Sequence, residues 1–433
     1  MWQTIVNAFK IKEVRKKILI TIALLFVYRL GCMIPVPGVN LLVDNITEYK
    51  FLEVMSAVSG GALQYGAFFA MGIGPYINAS IIIQLLTVGI PALERLSKQG
   101  EEGRKKINVY TRILTLVLAI VQAIGIIVAF SGQGEGTIDF NQIFGNEGFG
   151  LVMSYIFLVA VYTAGAALTM WLGERITDYG VSNGISLLIF AGILSTAGTS
   201  ILSVIRQIGN PATSQSATWN LLGFLIAALV IFAAIVTVNS AERKIPVQYA
   251  KQVKGRKMYG GQSTHIPIKV NSSGVMPLIF AYAILSFPDL VLNLIGVDSN
   301  NWWSANVGTG TIPYTVLLCV LILFFSYFYN QIQFNPDDIS KSIQGNGGFI
   351  PGTRPGKPTA DYLKRVANRI TLFGAIYLAL VALVPSLIFS GIEASLVNVF
   401  SATGLLIVVS VALEFEQALQ SQIMMKNYKG FLK

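Results

Sequence analysis

The chain is poor in charge. Asp, Glu, Lys and Arg make 12% of its 433 residues, about half the usual share of roughly 25%. A soluble surface cannot be built from so little charge, which excludes an ordinary soluble enzyme and a charged disordered chain. Cysteine is almost absent. Cys32 and Cys319 are the two present, and both sit in apolar runs. That leaves no disulfide framework and no metal-ligand spacing. The single histidine, His265, has no partner ligands around it and is read as a structural or contact residue. Neither GxxxxGK[ST] nor HExxH occurs, which removes P-loop nucleotide hydrolysis and a zincin site. No carboxylate pair lies inside an apolar run, and no His or Lys stands there to activate a Ser or Tyr. No catalytic residue, metal or cofactor is expected, and the chain is not read as an enzyme.

What is present is apolar. AVILMFWYC make 54% of the chain, and ten runs are long enough to cross a bilayer, which takes about 20 residues. They lie near 18–38, 67–93, 113–130, 149–173, 181–205, 217–240, 272–293, 311–335, 370–392 and 394–413. Arg29 and Asp289 are the ionised groups within them, and Asp289 is near a boundary. The first run follows Lys10, Lys12, Arg15, Lys16 and Lys17. It is too long for a signal-peptide core and lacks a small-residue cleavage site, so it is read as an uncleaved span. The expected fold is an all-α polytopic membrane protein.

Charge sets the orientation. With ten spans, 28 of the 31 Lys and Arg fall on one side, and only Lys50 and Arg206 fall on the other. By the positive-inside rule both termini face the cytoplasm.

Ten spans divide into two sets of five, and an odd number per half inverts the second half in the membrane. Inverted repeats often place their site on interrupted helices in matching positions. The second span of each half carries such a match. Gly72, Pro75, Ile77, Ala79 and Ile82 align without a gap on Gly274, Pro277, Ile279, Ala281 and Ile284. Pro costs little at a helix start, where its missing N–H would be unpaired anyway. Both segments are therefore expected to be helices entered through a Gly-loosened turn. Ahead of the first, residues 51–66 are semi-apolar, too short to span, and contain Ser59-Gly60-Gly61. They fit a short re-entrant helix blocking a cavity, or an amphipathic helix on the surface.

Intramembrane carboxylates mark proton relays and ion-coupled transport. Their scarcity favours a passive conduit over a coupled pump. Arg29 is read as structural, pairing with helix-end carbonyls or snorkelling to the surface. Two long basic loops, 241–271 and 336–369, hold most of the cytoplasmic charge. They serve topology and anionic lipid, or they dock a polyanionic or acidic partner; the length and Gly/Pro content of GNGGFIPGTRPGKP favour docking. A small-solute secondary transporter with inverted repeats is the alternative function.

At these residues the chain resembles the SecY family of bacterial protein-conducting channels. The resemblance covers almost the whole chain. It rests on IPVPGVN (34–40), SGGAL (59–63), PYINASIIIQLL (75–86), GEEGRKKINVYTR (100–112), WLGERIT (171–177), NGISLLIFAGI (183–193), IPVQYAK (245–251), QSTHIPIKVN (262–271), GGFIPGTRPGKPT (347–359) and LLIVV (405–409), in that order. Departures are small: Ser182 stands where the family usually has Gly, and Thr353 replaces an apolar residue.

The resemblance implies ten helices in two inverted halves, 1–208 and 209–433, around an hourglass pore. Its constriction would be Ile73, Ile77, Ile185, Ile189, Ile279 and Ile407. The plug would lie near 51–66, with Met55, Ser59, Gly60, Gly61, Ala62 and Leu63. A lateral gate would include Pro75, Asn78, Ser80 and Gln84 on one side, and Val275, Pro277 and Phe280 on the other. The basic loops would bind the ribosome or the SecA ATPase through Arg243, Lys244, Lys251, Lys254, Arg256, Lys257, Arg354 and Lys357, with Arg354 matching the family's coupling Arg. The small membrane subunits SecE and SecG, signal sequences, nascent chains and membrane lipid complete the implied partners. The implied location is the bacterial cytoplasmic membrane.

Overall fold

The computed structural model describes residues 2–39, 56, 59–131, 138–140, 143–145, 147–208, 214–249, 252–254, 257–259, 263–294, 302–308, 311–389 and 402–430. The chain forms two compact units. The first comprises Met1–Ala217, Ala283–Thr309 and Val411–Lys433, and the second Thr218–Tyr282 and Gly310–Ser410.

The first unit is helical. Helix α1, Trp2–Lys10, and α2, Lys12–Gly31, precede α3, Gly74–Gly89, and α4, Pro91–Ser97. Then come α5, Glu101–Ser131, α6, Gly148–Tyr179, and α7, Gly184–Ile208. α3 and α4 meet at 105°. The cause is Pro91 at the start of α4, with Ile90 extended at φ −110°, ψ 113°, because a residue before proline is pushed out of helical geometry. Among the described residues, five helices are long and apolar enough to cross a membrane, or six with the bent pair as one span. They make the chain a multi-pass membrane protein.

Burial in these helices suits a lipid solvent. On α2, Thr21 is buried while Ile22 and Phe26 are 55% and 64% exposed. Two fully buried hydroxyls are satisfied locally: Thr115 donates to the Thr111 carbonyl at 2.7 Å and Thr169 to the Gly165 carbonyl at 2.8 Å. Such back-bonding pairs these two hydroxyls where water is absent. Small residues bring the helices close, and Gly165 of α6 admits the Phe68 carbonyl into the space a Cβ would fill. Close backbone approach of this kind drives packing where no hydrophobic force acts between helices.

The second unit begins within α8, Ser214–Ser240. Strands β1, Glu242–Tyr249, β2, Gln252–Lys254, β3, Lys257–Tyr259, and β4, Ser263–Lys269, follow. Helix α9, Met276–Leu294, passes into the first unit from Ala283, short α10, Trp302–Val307, belongs to that unit, and α11, Ile312–Gln333, lies in the second. The chain continues through α12, Pro336–Gly345, β5, Gly348–Phe349, α13, Lys357–Phe389, and α14, Ala402–Gly430.

The strands depart from the all-α expectation. Ile245 and Val247 are buried on β1 while Lys244, Pro246 and Gln248 are exposed, the period-two pattern of a half-buried strand. β1 pairs antiparallel with β4, Ile245 opposite Ile266 and Arg243 opposite Ile268. β5 adds to the other edge of β1, giving the order β4-β1-β5, and β2 pairs with β3 in a separate hairpin. The two basic loops thus fold into one module. Ile245, Val247 and Ile268 from the first loop share a core with Ile343, Ile350 and Leu363 from the second. The helix that carries the ninth apolar run begins earlier than the run itself, at Lys357, and its polar first turns bury Leu363 in that core.

Candidate functional site

The two matching helix starts have the same backbone. Gly72 lies at φ +52° and Gly274 at φ +63°, a left-handed conformation that glycine adopts without a Cβ penalty. Two residues later α3 and α9 begin, each with proline as its second residue, Pro75 and Pro277. The expected Gly-loosened turn is present at both.

In the first unit, Ser59-Gly60-Gly61 ends a helical turn. The Gly61 N–H donates to the Ser56 carbonyl at 2.8 Å and Gly60 lies at φ +70°, the two marks of a Schellman cap. Ser59, Gly60, Gly61, Ala62 and Leu63 are all buried, which disagrees with a surface amphipathic helix. Gly60 packs on Gly192 of α7, and Ser59 packs on Gly72. The Arg29 guanidinium donates to the Gly60 carbonyl at 2.8 Å. This is the helix-end carbonyl pairing read as one role for Arg29, and it puts a cation where a helix C-terminus carries partial negative charge. The Cys32 thiol points at the neighbouring Ser59 carbonyl at 3.7 Å.

The remaining ring and gate residues divide between the units. In the first unit, Ile73 caps α3 and is buried, Ile189 is buried on α7, and Ile77 and Ile185 are half-buried. Asn78, Ser80 and Gln84 are half-buried along α3, and Gln84 donates to the Ser80 hydroxyl at 3.3 Å. In the second unit, Ile407 is buried and Ile279 and Val275 are half-buried. Phe280 is buried edge-on against Phe325, with ring centroids 5.6 Å apart, and also contacts Tyr329.

The basic module presents its cations outward. Arg243, Lys244, Arg354 and Lys357 are exposed. Lys254 and Lys257 lie on β2 and β3. Met55, Lys251 and Arg256 fall outside the described residues. Among the described residues no group of three or more His, Cys, Asp and Glu is placed to hold a metal ion.

Sequence reasoning missed a polar chain at the base of the module. Asn271 donates to the Asn239 side-chain oxygen at 2.9 Å, and Asn239 donates to the Ser410 hydroxyl at 2.8 Å. It joins α8, the turn before α9, and α14. Asn239 and Asn271 look like loop residues in a sequence, Ser410 lies inside α14, and no local spacing ties the three together. The strand pairing inside the first loop did carry a signal, the alternation Ile245, Val247 and Ile266, Ile268.

Comparison with known proteins agrees in sequence and in fold. A family model named SecY matches residues 67–416. A Streptomyces galbus protein named "Protein translocase subunit SecY" is 42% identical over 442 residues, covering 99% of each chain. A protein of the same name from Mycobacterium tuberculosis is 40% identical over 454 residues, covering 100% of each. The solved structure described as "The structure of a protein conducting channel" superposes with a TM-score of 0.67 at 19% identity, covering 94% of this chain and 92% of that one. One described as "Sec61 in the Canine ribosome-channel complex from the endoplasmic reticulum" superposes at 0.64 with 17% identity, over 94% and 92% of the two chains.

Proposed function

The chain belongs to the SecY family, and from that premise we propose that it is the central subunit of a channel that passes unfolded polypeptides across a membrane. The same channel releases apolar segments sideways into lipid. Relatives named as translocase subunits at about 40% identity over the full chain support this reading. The small-solute transporter alternative falls with family membership.

The finer architecture is part of the proposal. Ten spans in two inverted halves, 1–208 and 209–433, surround the path, and the paired left-handed glycines before α3 and α9 support the repeat. Ile73, Ile77, Ile185, Ile189, Ile279 and Ile407 make the constriction. Aliphatic side chains there exclude ions by dewetting and fit loosely around any passing sequence. The 51–66 segment is the plug, and the buried Ser59–Leu63 stretch held by Arg29 supports that role. Pro75, Asn78, Ser80, Gln84, Val275, Pro277 and Phe280 belong to the lateral gate. Opening is a population shift: signal-sequence and partner binding favour a displaced plug and an open gate.

The module built from loops 241–271 and 336–369 docks the SecA ATPase or the ribosome through its exposed cations. Arg243, Lys244, Lys251, Lys254, Arg256, Lys257, Arg354 and Lys357 carry that role. SecE and SecG are the accessory subunits, and the location is the bacterial cytoplasmic membrane with both termini inside. The observation that carries the docking role is the shared core, which turns two loops into one rigid basic surface. The test is import of a secretory precursor into proteoliposomes holding this chain, the small subunits, SecA and ATP. Protease-protected precursor that disappears without ATP is expected. Absence of protection, with a known channel active in parallel, would overturn motor-driven translocation.

A further inference from the structure

Arg354 sits between two Pro–Gly turns. Ile350-Pro351-Gly352-Thr353 is closed by the Thr353 N–H donating to the Ile350 carbonyl at 3.1 Å, with Gly352 at φ +86°. Proline second and a left-handed glycine third is the type II pattern. Arg354-Pro355-Gly356-Lys357 repeats the order, with Gly356 at φ +96°. Two hydroxyls hold this backbone from beneath. Ser340 of α12 donates to the Gly356 carbonyl at 2.6 Å, and Thr359 of α13 donates to the carbonyl of Arg354 itself at 2.7 Å. The Thr359 and Ala360 N–H groups also donate to the Gly356 carbonyl. Ser340 and Thr359 are 3% and 2% exposed, so neither is placed to touch a partner. Arg354 is exposed, and no ion pair engages it among the described residues.

We propose that Ser340 and Thr359 are positioning residues that fix the backbone around Arg354, so that its guanidinium stands in docking geometry before an acidic or polyanionic partner arrives. The inference rests on the reading of Arg354 as a docking residue. Its physical content is pre-organisation. A loop that samples many conformations binds with its intrinsic affinity reduced by the fraction of time it is competent. Ordering it in advance removes that loss. Apolar side chains at 340 and 359 would pack as well, but they would leave the Arg354 carbonyl to turn toward water and the Gly356 carbonyl held by the Thr359 and Ala360 N–H groups alone. Hydroxyls at both places tie the turn to α12 and α13, and through Ile343, Ile350 and Leu363 to the core of the module.

The test uses the channel with its small subunits in proteoliposomes, with SecA ATPase measured against channel concentration. The variants are S340A with T359V, T359S alone, R354A, and R354A combined with the first pair. The pair should raise the channel concentration for half-maximal stimulation about tenfold, with the maximal rate kept. T359S keeps the hydroxyl and should stay within about twofold. In the R354A background the pair should add nothing, because nothing is left to position. An equal loss with and without Arg354 would overturn the proposal and make the hydroxyls generally structural. No loss from the pair, with R354A weakened, would show a turn ordered without them. R354A behaving as wild type would remove the docking reading and the positioning role together. If S340A fails to assemble, T359V against T359S carries the same comparison alone.

Discussion

Arg29 and Arg354 are the same side chain put to opposite uses. Arg29 lies within an apolar run, half-buried, and its guanidinium is occupied by the Gly60 carbonyl. Arg354 stands outside the apolar runs, exposed, and its carbonyl rather than its guanidinium is held. The reason is the solvent. A cation in lipid costs several kcal/mol unless it finds a partner inside the protein. It is therefore stable there only as part of the structure. In water a guanidinium is cheap to leave open, and what needs fixing is its direction. The comparison teaches that the same side chain is a structural contact where it is paired inside an apolar run and is open to a partner where it stands exposed.

The largest effect should come from removing what holds Arg354 in place. Leu363 is fully buried in the core shared by both basic loops. Leu363→Ala should cost about 2–5 kcal/mol and free both loops at once. Protease nicking within 241–271 and 336–369 should rise together, while the apolar helices stay protected. Nicking confined to one loop would mean that the loops are independent and Arg354 has no rigid platform.

Breaking the other arginine should come next. Arg29→Ala leaves the Gly60 carbonyl without its charged donor, a loss of about 1.5–3 kcal/mol. That is roughly a tenfold to hundredfold shift toward a displaced 59–63 segment. Ion conductance of resting channels in planar bilayers should increase, and Arg29→Lys should recover part of the seal. A tight resting channel in Arg29→Ala would remove the sealing role from this contact.

How much of this was legible in the sequence depends on whether the signal was local. The helix starts were, because Gly72-Pro75 and Gly274-Pro277 carry their own backbone requirement within four residues, and φ is positive at both glycines. The role of Arg29 was half legible: a lone cation in an apolar run must pair, but a partner 31 positions away cannot be read from spacing. The charge of the basic loops is visible in the sequence, but their union is not. Their strand pattern was visible at Ile245 and Val247, yet the pairing of β5 with β1 joins residues about a hundred positions apart. Ser340 and Thr359 gave no signal, since an isolated hydroxyl says nothing of the carbonyl it will meet.

A milder prediction concerns Arg354 directly. Arg354→Glu should reduce SecA-driven import about tenfold, near 1.4 kcal/mol, with assembly unchanged. The deficit should narrow at high salt, because exposed charges are screened beyond about 8–10 Å. A loss that does not depend on salt would point to a fold defect and weaken the contrast with Arg29.

The smallest effect should come from an arginine between these extremes. Arg112 lies just before the apolar run 113–130, and its Nε is 2.7 Å from Glu174 Oε1. The Arg112 side chain is 50% exposed and that of Glu174 is 23% exposed. The hydrogen bond from Arg112 to Glu174 raises the guanidinium's pKa further above its ordinary value. A group with a raised folded pKa adds stability that is fully present below its unfolded value and is lost only as pH rises through the folded one. Both lie far above the physiological range for arginine, so this pair confers no pH dependence from Arg112 there. Solvent screening at half exposure keeps its worth low, and Glu174→Gln should cost under about 1 kcal/mol. Thermal unfolding of the purified variant between pH 6 and 9 should run parallel to the wild type with a small constant offset. An offset as large as that of Arg29→Ala would show that the low-dielectric region reaches Arg112, and the boundary between structural and docking arginines would have to be moved outward.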